Sequence, residues 1–190
     1  MKKTFLKIVS FFVLISLIPS FCYASSADYS SSFDTLLGMM TAIAGTDNGI
    51  AQINIALWEE VGPSDVMRYI QHVLYIGQYG DKEYQGTYTL KRIKKVLGEY
   101  DYLALSQTYY NATDSLPRYL EATKVMIKMD RDKYPDHAAA FKALQDYYVK
   151  LAAYTDFAIN PSGNLIDYRT NYQQYQKELQ ELKFNAEFEK

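Results

Sequence analysis

NPSGNLIDYRTNYQQYQKELQELKFNAEFEK, residues 160–190, is the stretch that decides how the chain is built. Within it Leu165, Tyr168, Tyr172, Tyr175, Leu179, Leu182 and Ala186 recur at alternating steps of three and four. That spacing holds one narrow stripe against a partner over successive turns of a helix. Asp167, Arg169, Asn171, Gln173, Gln174, Gln176, Lys177, Glu178 and Glu181 fill the positions between and suit a solvated face. Neither Gly nor Pro interrupts the run from Leu165 onward.

The segment before Asn160 repeats the pattern with Phe141, Leu144, Tyr148, Leu151, Thr155 and Ala158. Pro135 suits the first turn of this helix, where a missing amide proton costs nothing and the ring presets φ. The helix must stop near Asn160, because a residue preceding proline is pushed out of the α region. Ser162 is placed to cap the final helix through its hydroxyl. A linker as short as Asn160-Pro161-Ser162-Gly163 makes the two helices antiparallel neighbours. Each is roughly 35 Å long at about 1.5 Å per residue.

At the other end, residues 1–24 read as a signal peptide. Lys2, Lys3 and Lys7 precede an apolar run from Ile8 to Ile18, and Cys22-Tyr23-Ala24 places small residues at −3 and −1 of a cleavage site after Ala24. The run is too short for a comfortable membrane span. A lipoprotein signal with Cys22 as the lipidated residue is the weaker alternative, because Phe21 stands where that signal wants a small residue. Cleavage removes the single cysteine and three lysines, and takes the formal net charge from −2 to −5. The remaining 166 residues suffice for one core without disulfides. Their acidic balance argues against nucleic acid or an anionic membrane as partner. No later stretch reaches the length of a transmembrane helix.

Residues 25–32 are small and polar and read as a flexible N-terminal segment, leaving 33–190 as the helical domain. From Phe33, the positions Leu36, Met40, Ile43, Ile50, Asn54, Leu57 and Val61 keep one register if Asp47 counts as part of the stripe. That register runs through Gly45-Thr46-Asp47-Asn48-Gly49 and favours one helix from about Phe33 to Glu60 over two helices with a turn, although Asp-Asn-Gly is turn-like. Gly62-Pro63 ends it. Ser64 is suited to cap a second helix with the stripe Val66, Ile70, Val73 and Gly77. Gly77, Gly80 and Gly86 predict a turn near Tyr79–Lys82. Leu90, Ile93, Leu97, Tyr100 and Ala104 predict a third helix that fades near Asn111. Ser115 and Pro117 then predict the start of another, with Leu120, Thr123 and Ile127 inward, ending before Pro135. The alternation of Tyr84, Gly86, Tyr88 and Leu90 with Gln85, Thr87 and Thr89 is the nearest approach to a strand. The expected fold is all-α: a single antiparallel helical bundle of four to six amphipathic helices behind a cleaved signal peptide.

Groups that could carry chemistry are few. His72 and His137 are the whole histidine supply. Tyr69 and Tyr134 stand three residues before them, so the Glu-x-x-His pairs of a di-iron bundle are lacking. Both histidines read as surface or boundary residues. No Cys-x-x-Cys-His motif attaches a haem. Asp130–Asp136 opens like a calcium loop, but Pro135 holds the position that needs glycine and Phe141 the one that needs glutamate. Glu59 and Glu60 are adjacent and do not share a helix face. The Asn111-Ala112-Thr113 glycosylation match reads as chance behind a bacterial signal. No phosphate loop or nucleophile with its base is recognisable, so the sequence supports neither a cofactor, a metal nor a catalytic role. Lys91, Arg92, Lys94 and Lys95 read as a solvated basic face paired with carboxylates.

The unusual feature is 19 tyrosines. A tyrosine joins a large apolar ring to a hydroxyl that wants water or a partner, which suits both a core margin and a binding surface. Trp58 reads as core-edge packing. Tyr75, Tyr79, Tyr84, Tyr88, Tyr109 and Tyr110 are the candidate contacts for a partner or ligand. The leading expectation is an exported bacterial protein that binds a macromolecular partner, a protein or an envelope component, without catalysis. Its location is then the periplasm or outside the cell. The alternative is a small-ligand binder with a tyrosine-lined cavity between helices.

Overall fold

The computed structural model describes residues 28–62, 65–81 and 86–190. They form six α-helices and one 3-10 turn, and the described residues contain no strand. In chain order the helices are α1 Tyr29–Val61, α2 Val66–Tyr79, α3 Thr87–Leu97, α4 Tyr102–Lys133, α5 Ala138–Ile159 and α6 Leu165–Glu189, with the 3-10 turn Pro135–His137 leading into α5. The signal segment, the Ser64 cap and Tyr84 lie outside the described residues.

Helix α1 is the centre of the bundle and packs on each of the other five helices. It is one unbroken helix, and the register that includes Asp47 is the reason. Phe33, Leu36, Met40, Ile43, Asp47, Ile50, Asn54 and Leu57 are all buried. Fully burying each large apolar side chain of that set is worth roughly 1.5–3 kcal/mol. A turn at Asp47-Asn48-Gly49 would rotate half of them into water, so packing overrides the local turn preference. The helix starts one turn earlier than Phe33: Asp28 accepts a hydrogen bond from the Ser31 amide at 2.8 Å and caps it. Gly62, at φ +82°, ends it.

The stripes of α5 and α6 face inward as their spacing predicts. Phe141, Leu144, Leu151, Thr155 and Ala158 are buried with Tyr148 half-buried, and Tyr168, Leu179 and Ala186 are buried with Leu165, Tyr172, Tyr175 and Leu182 packed against the core. The cap differs from expectation. Asn164, not Ser162, accepts from the Asp167 amide at 3.0 Å, because the turn runs one step further through Gly163 at φ +85°.

The middle of the chain corrects two boundaries. Helix α3 stops at Gly98, whose φ of +99° lets its amide donate back to the Lys94 carbonyl at 2.8 Å. The phase shifts there, so Tyr100 is 95% exposed and Ala104 also faces out, while Tyr102, Leu105 and Tyr109 turn inward. Helix α4 then runs straight through Asn111, Ser115 and Pro117. Its buried row Tyr109, Ala112, Leu116, Leu120, Thr123, Ile127 keeps one face across the proline. Ser115 donates its hydroxyl back to the Asn111 carbonyl instead of capping a new helix. Pro117 sits on the exposed side, where water can serve the carbonyl that lacks an amide donor.

Helix α2 packs chiefly on α4, and the contact needs Gly77. A Cβ at Gly77 would lie 2.2 Å from the Ser106 carbonyl oxygen and 2.8 Å from Tyr110 Cβ. No helix among the described residues is long and apolar enough to cross a membrane.

Candidate functional site

The interior carries a polar seam that the apolar stripes conceal. Asn54 on α1 is fully buried and sits at its hub. Its Nδ2 donates to the Ala158 carbonyl on α5 at 2.8 Å and to the Tyr168 hydroxyl on α6 at 3.1 Å. Its Oδ1 accepts from the Tyr109 hydroxyl on α4 at 2.7 Å. One amide side chain thus links four helices. Two turns earlier, Asp47 is also fully buried, and the Thr155 hydroxyl of α5 donates to its Oδ2 at 2.7 Å. On the flank, Tyr172 of α6 donates to Asn48 Oδ1, and Gln52 Nε2 donates to the Tyr172 hydroxyl at 3.2 Å. Gln176 Nε2 donates to the Tyr154 hydroxyl at 2.8 Å.

Burial governs the acid–base behaviour of this seam. It raises the Asp47 carboxyl to about 8, against a lowering by the Thr155 hydrogen bond, so the group keeps its proton at neutral pH. Burial likewise raises the hydroxyls of Tyr109, Tyr154 and Tyr168, and takes Tyr147 to about 12. These groups stay neutral in water near pH 7 and act as hydrogen-bonding core. Sealed from solvent, a protonated Asp47 is a packing element with latent charge and not a general acid within reach of a substrate.

The candidate aromatics divide between interior and surface. Tyr109 is fully buried and belongs to the seam, out of reach of a partner on the folded bundle. Tyr110 is half-buried beside Gly77. Tyr75 and Tyr79 share the outer face of α2 with ring centroids 5.0 Å apart, and Tyr79 is 67% exposed. Tyr88 on α3 is 65% exposed, with the Arg92 guanidinium 4.7 Å over its ring. The structure thus places Tyr75, Tyr79 and Tyr88 outside on two consecutive helices. Two of the four cations of the α3 segment meet carboxylates, Lys95 with Glu60 at 2.7 Å and Lys94 with Glu99 at 3.5 Å, while Arg92 lies over Tyr88.

Trp58 is more deeply placed than a core-edge residue, at 5.3 Å from the Tyr168 ring. His137 stacks flat on Tyr29 at 3.5 Å, closing the start of α1 against the start of α5. His72 is half-buried, and burial with nearby Arg68 lowers its pKa. Among the described residues no three His, Cys, Asp or Glu side chains gather to hold a metal ion.

The seam's hub escapes sequence reasoning because Asn54 is visible only as a polar residue in a stripe. Its partners come from 55, 104 and 114 residues away. Comparisons with protein-family models, with curated proteins and with solved structures find no match.

Proposed function

We propose that the chain is an exported helical-bundle protein that binds a macromolecular partner, a protein or an envelope component, without catalysis. The observation that carries this reading is the division of the tyrosines. Tyr109, Tyr154, Tyr168 and Tyr172 use their hydroxyls on Asn54, Gln176 and Asn48 of neighbouring helices. Tyr75, Tyr79 and Tyr88 stand in solvent, where large amphipathic rings are suited to become contact residues. The bundle that presents them is antiparallel in this reading. Contacts of Asp34 with Lys190 and of Glu59 with Arg169 support α1 and α6 running in opposite directions. Export follows from the signal-like residues 1–24, and places the protein in the periplasm or outside the cell.

Native mass spectrometry of the protein taken from its own host's envelope or culture fluid tests the reading. A discrete larger complex that is lost in a Tyr75→Ser/Tyr79→Ser/Tyr88→Ser variant of unchanged melting temperature is the expected result. A small added mass that survives those substitutions would replace this reading with ligand binding inside the bundle.

A further inference from the structure

The chain carries two surface features that fit each other. The first is a groove of about 410 Å³ between α4 and α5. Ile127, Tyr148 and Val149 supply its apolar lining, and Lys124, Lys128 and Arg131 line one side. Those three cations fall four and three residues apart on α4 and so share a face. Lys124 and Arg131 hold exposed surface pairs with Glu121 and Asp132 at 3.5 and 3.0 Å, and Lys128 has no ion-pair partner among the described residues. Surface pairs of this kind are worth little and exchange readily.

The second feature is the end of α6. Phe184 is 65% exposed and Phe188 80% exposed, four residues apart on the outward side of the helix. Glu181, Glu187 and Glu189 surround them in sequence and outnumber the interleaved Lys183 and Lys190. Glu181 and Glu187 have only long contacts to Lys177 and Lys183, at 3.8 and 3.7 Å. Two solvent-exposed phenyl rings within a net acidic helix end complement an apolar groove edged by cations, in polarity and in sign of charge.

We propose that Phe184 and Phe188 of one copy seat in the α4–α5 groove of a second copy, with the carboxylates around them meeting Lys124, Lys128 and Arg131. The occupant is a second copy because the same chain supplies both complementary halves. The two patches lie on different helices, so the contact either closes reciprocally in a two-fold dimer or propagates head to tail into a ring or an open chain. The charge component makes it sensitive to salt.

Sedimentation velocity on the full protein tests this. The wild type should show an average mass that rises with concentration and falls when salt is added. Phe184→Ser/Phe188→Ser and Val149→Asp should each remain monomeric, both at exposed sites that leave the thermal melt unchanged. Mixed together, they should form a species of two chains and no more, since one variant retains the groove and the other the phenylalanines. A wild type that stays monomeric at every concentration overturns the proposal. So does a mixture that fails to pair, or association that both variants retain; in these cases the groove is left to another acidic partner.

Discussion

Thr155 on α5 donates its hydroxyl hydrogen to Oδ2 of Asp47 on α1 across 2.7 Å, with both side chains sealed from solvent. No cationic side chain figures among the groups that act on this carboxyl. Tyr147, Tyr154 and Tyr168 lie near enough to feel its charge. The bundle therefore encloses a carboxyl that is tolerated only with its proton on.

That arrangement fixes the sign of a pH dependence. The Asp47 carboxyl stands at about 8 in the folded chain, against an ordinary 3.8. Between those values the folded state keeps a proton that the unfolded chain has released, so stability falls as pH rises and levels off above the folded value. The loss is about 1.4 kcal/mol per pH unit in the middle of that window. Asp47→Asn keeps an acceptor for Thr155 and removes the charge. Melting temperatures across the window should slope less in the variant, and it should melt above the wild type at the alkaline end. Parallel profiles would assign the slope to other groups.

The Asn54 hub predicts a cost for small changes at a distance. Tyr109→Phe removes one oxygen and leaves Asn54 Oδ1 buried without its donor. Roughly 1–3 kcal/mol of stability should be lost in urea denaturation, the usual cost of an unsatisfied buried group. Tyr79→Phe, which removes the same atom from an exposed ring, should stay within about 0.5 kcal/mol of wild type.

Gly77 and Gly38 should respond oppositely to the same substitution. Gly77→Ala drives a methyl into the Ser106 carbonyl, backbone that cannot step aside cheaply, and should destabilise by about 1–3 kcal/mol. Gly38→Ala meets nothing within 4 Å on an exposed helix face and should stabilise by roughly 0.5–1 kcal/mol. Chemical denaturation of the pair checks both signs.

Tyr172→Asp tests the stripe of α6. The substitution removes the hydroxyl that joins Asn48 and Gln52 and sets a charge against the core margin. A loss of roughly 1–3 kcal/mol, about 3–10 °C in melting temperature, is expected. An unchanged melt would mean that the stripe does not hold α6 in place.

Periodic packing was legible in the sequence wherever one register ran long. The stripes of α5 and α6 could be read directly, and α1 could be carried through Asp47-Asn48-Gly49 because apolar positions on both sides agreed in phase. The same logic extends through Pro117, where Tyr109, Ala112, Leu116 and Leu120 stay in step, yet local signals at Ser115 and Pro117 point to a boundary. Packing of the whole row outweighs them. Gly98 was the opposite case: a plausible 3–4 pattern crossed it, but only glycine accommodates the positive φ that ends α3 there. The division of the tyrosines was not legible, because one residue type suits core margin and binding surface alike. For Tyr109 and Tyr168 the buried partner is Asn54, 55 and 114 positions away.

The close seat of α2 on α4 has a consequence for how the molecule opens. Helices α2 and α3 are anchored on α1 and α4, whereas α5 and α6 clasp each other as well as α1. Amide hydrogen exchange should resolve two cooperative units, α2 with α3 and α5 with α6. A partner that grips Tyr75, Tyr79 and Tyr88 would then act as a splint on the first of these units. Its arrival would register as slower exchange along α2 and α3 and leave the protection of the far helices unchanged.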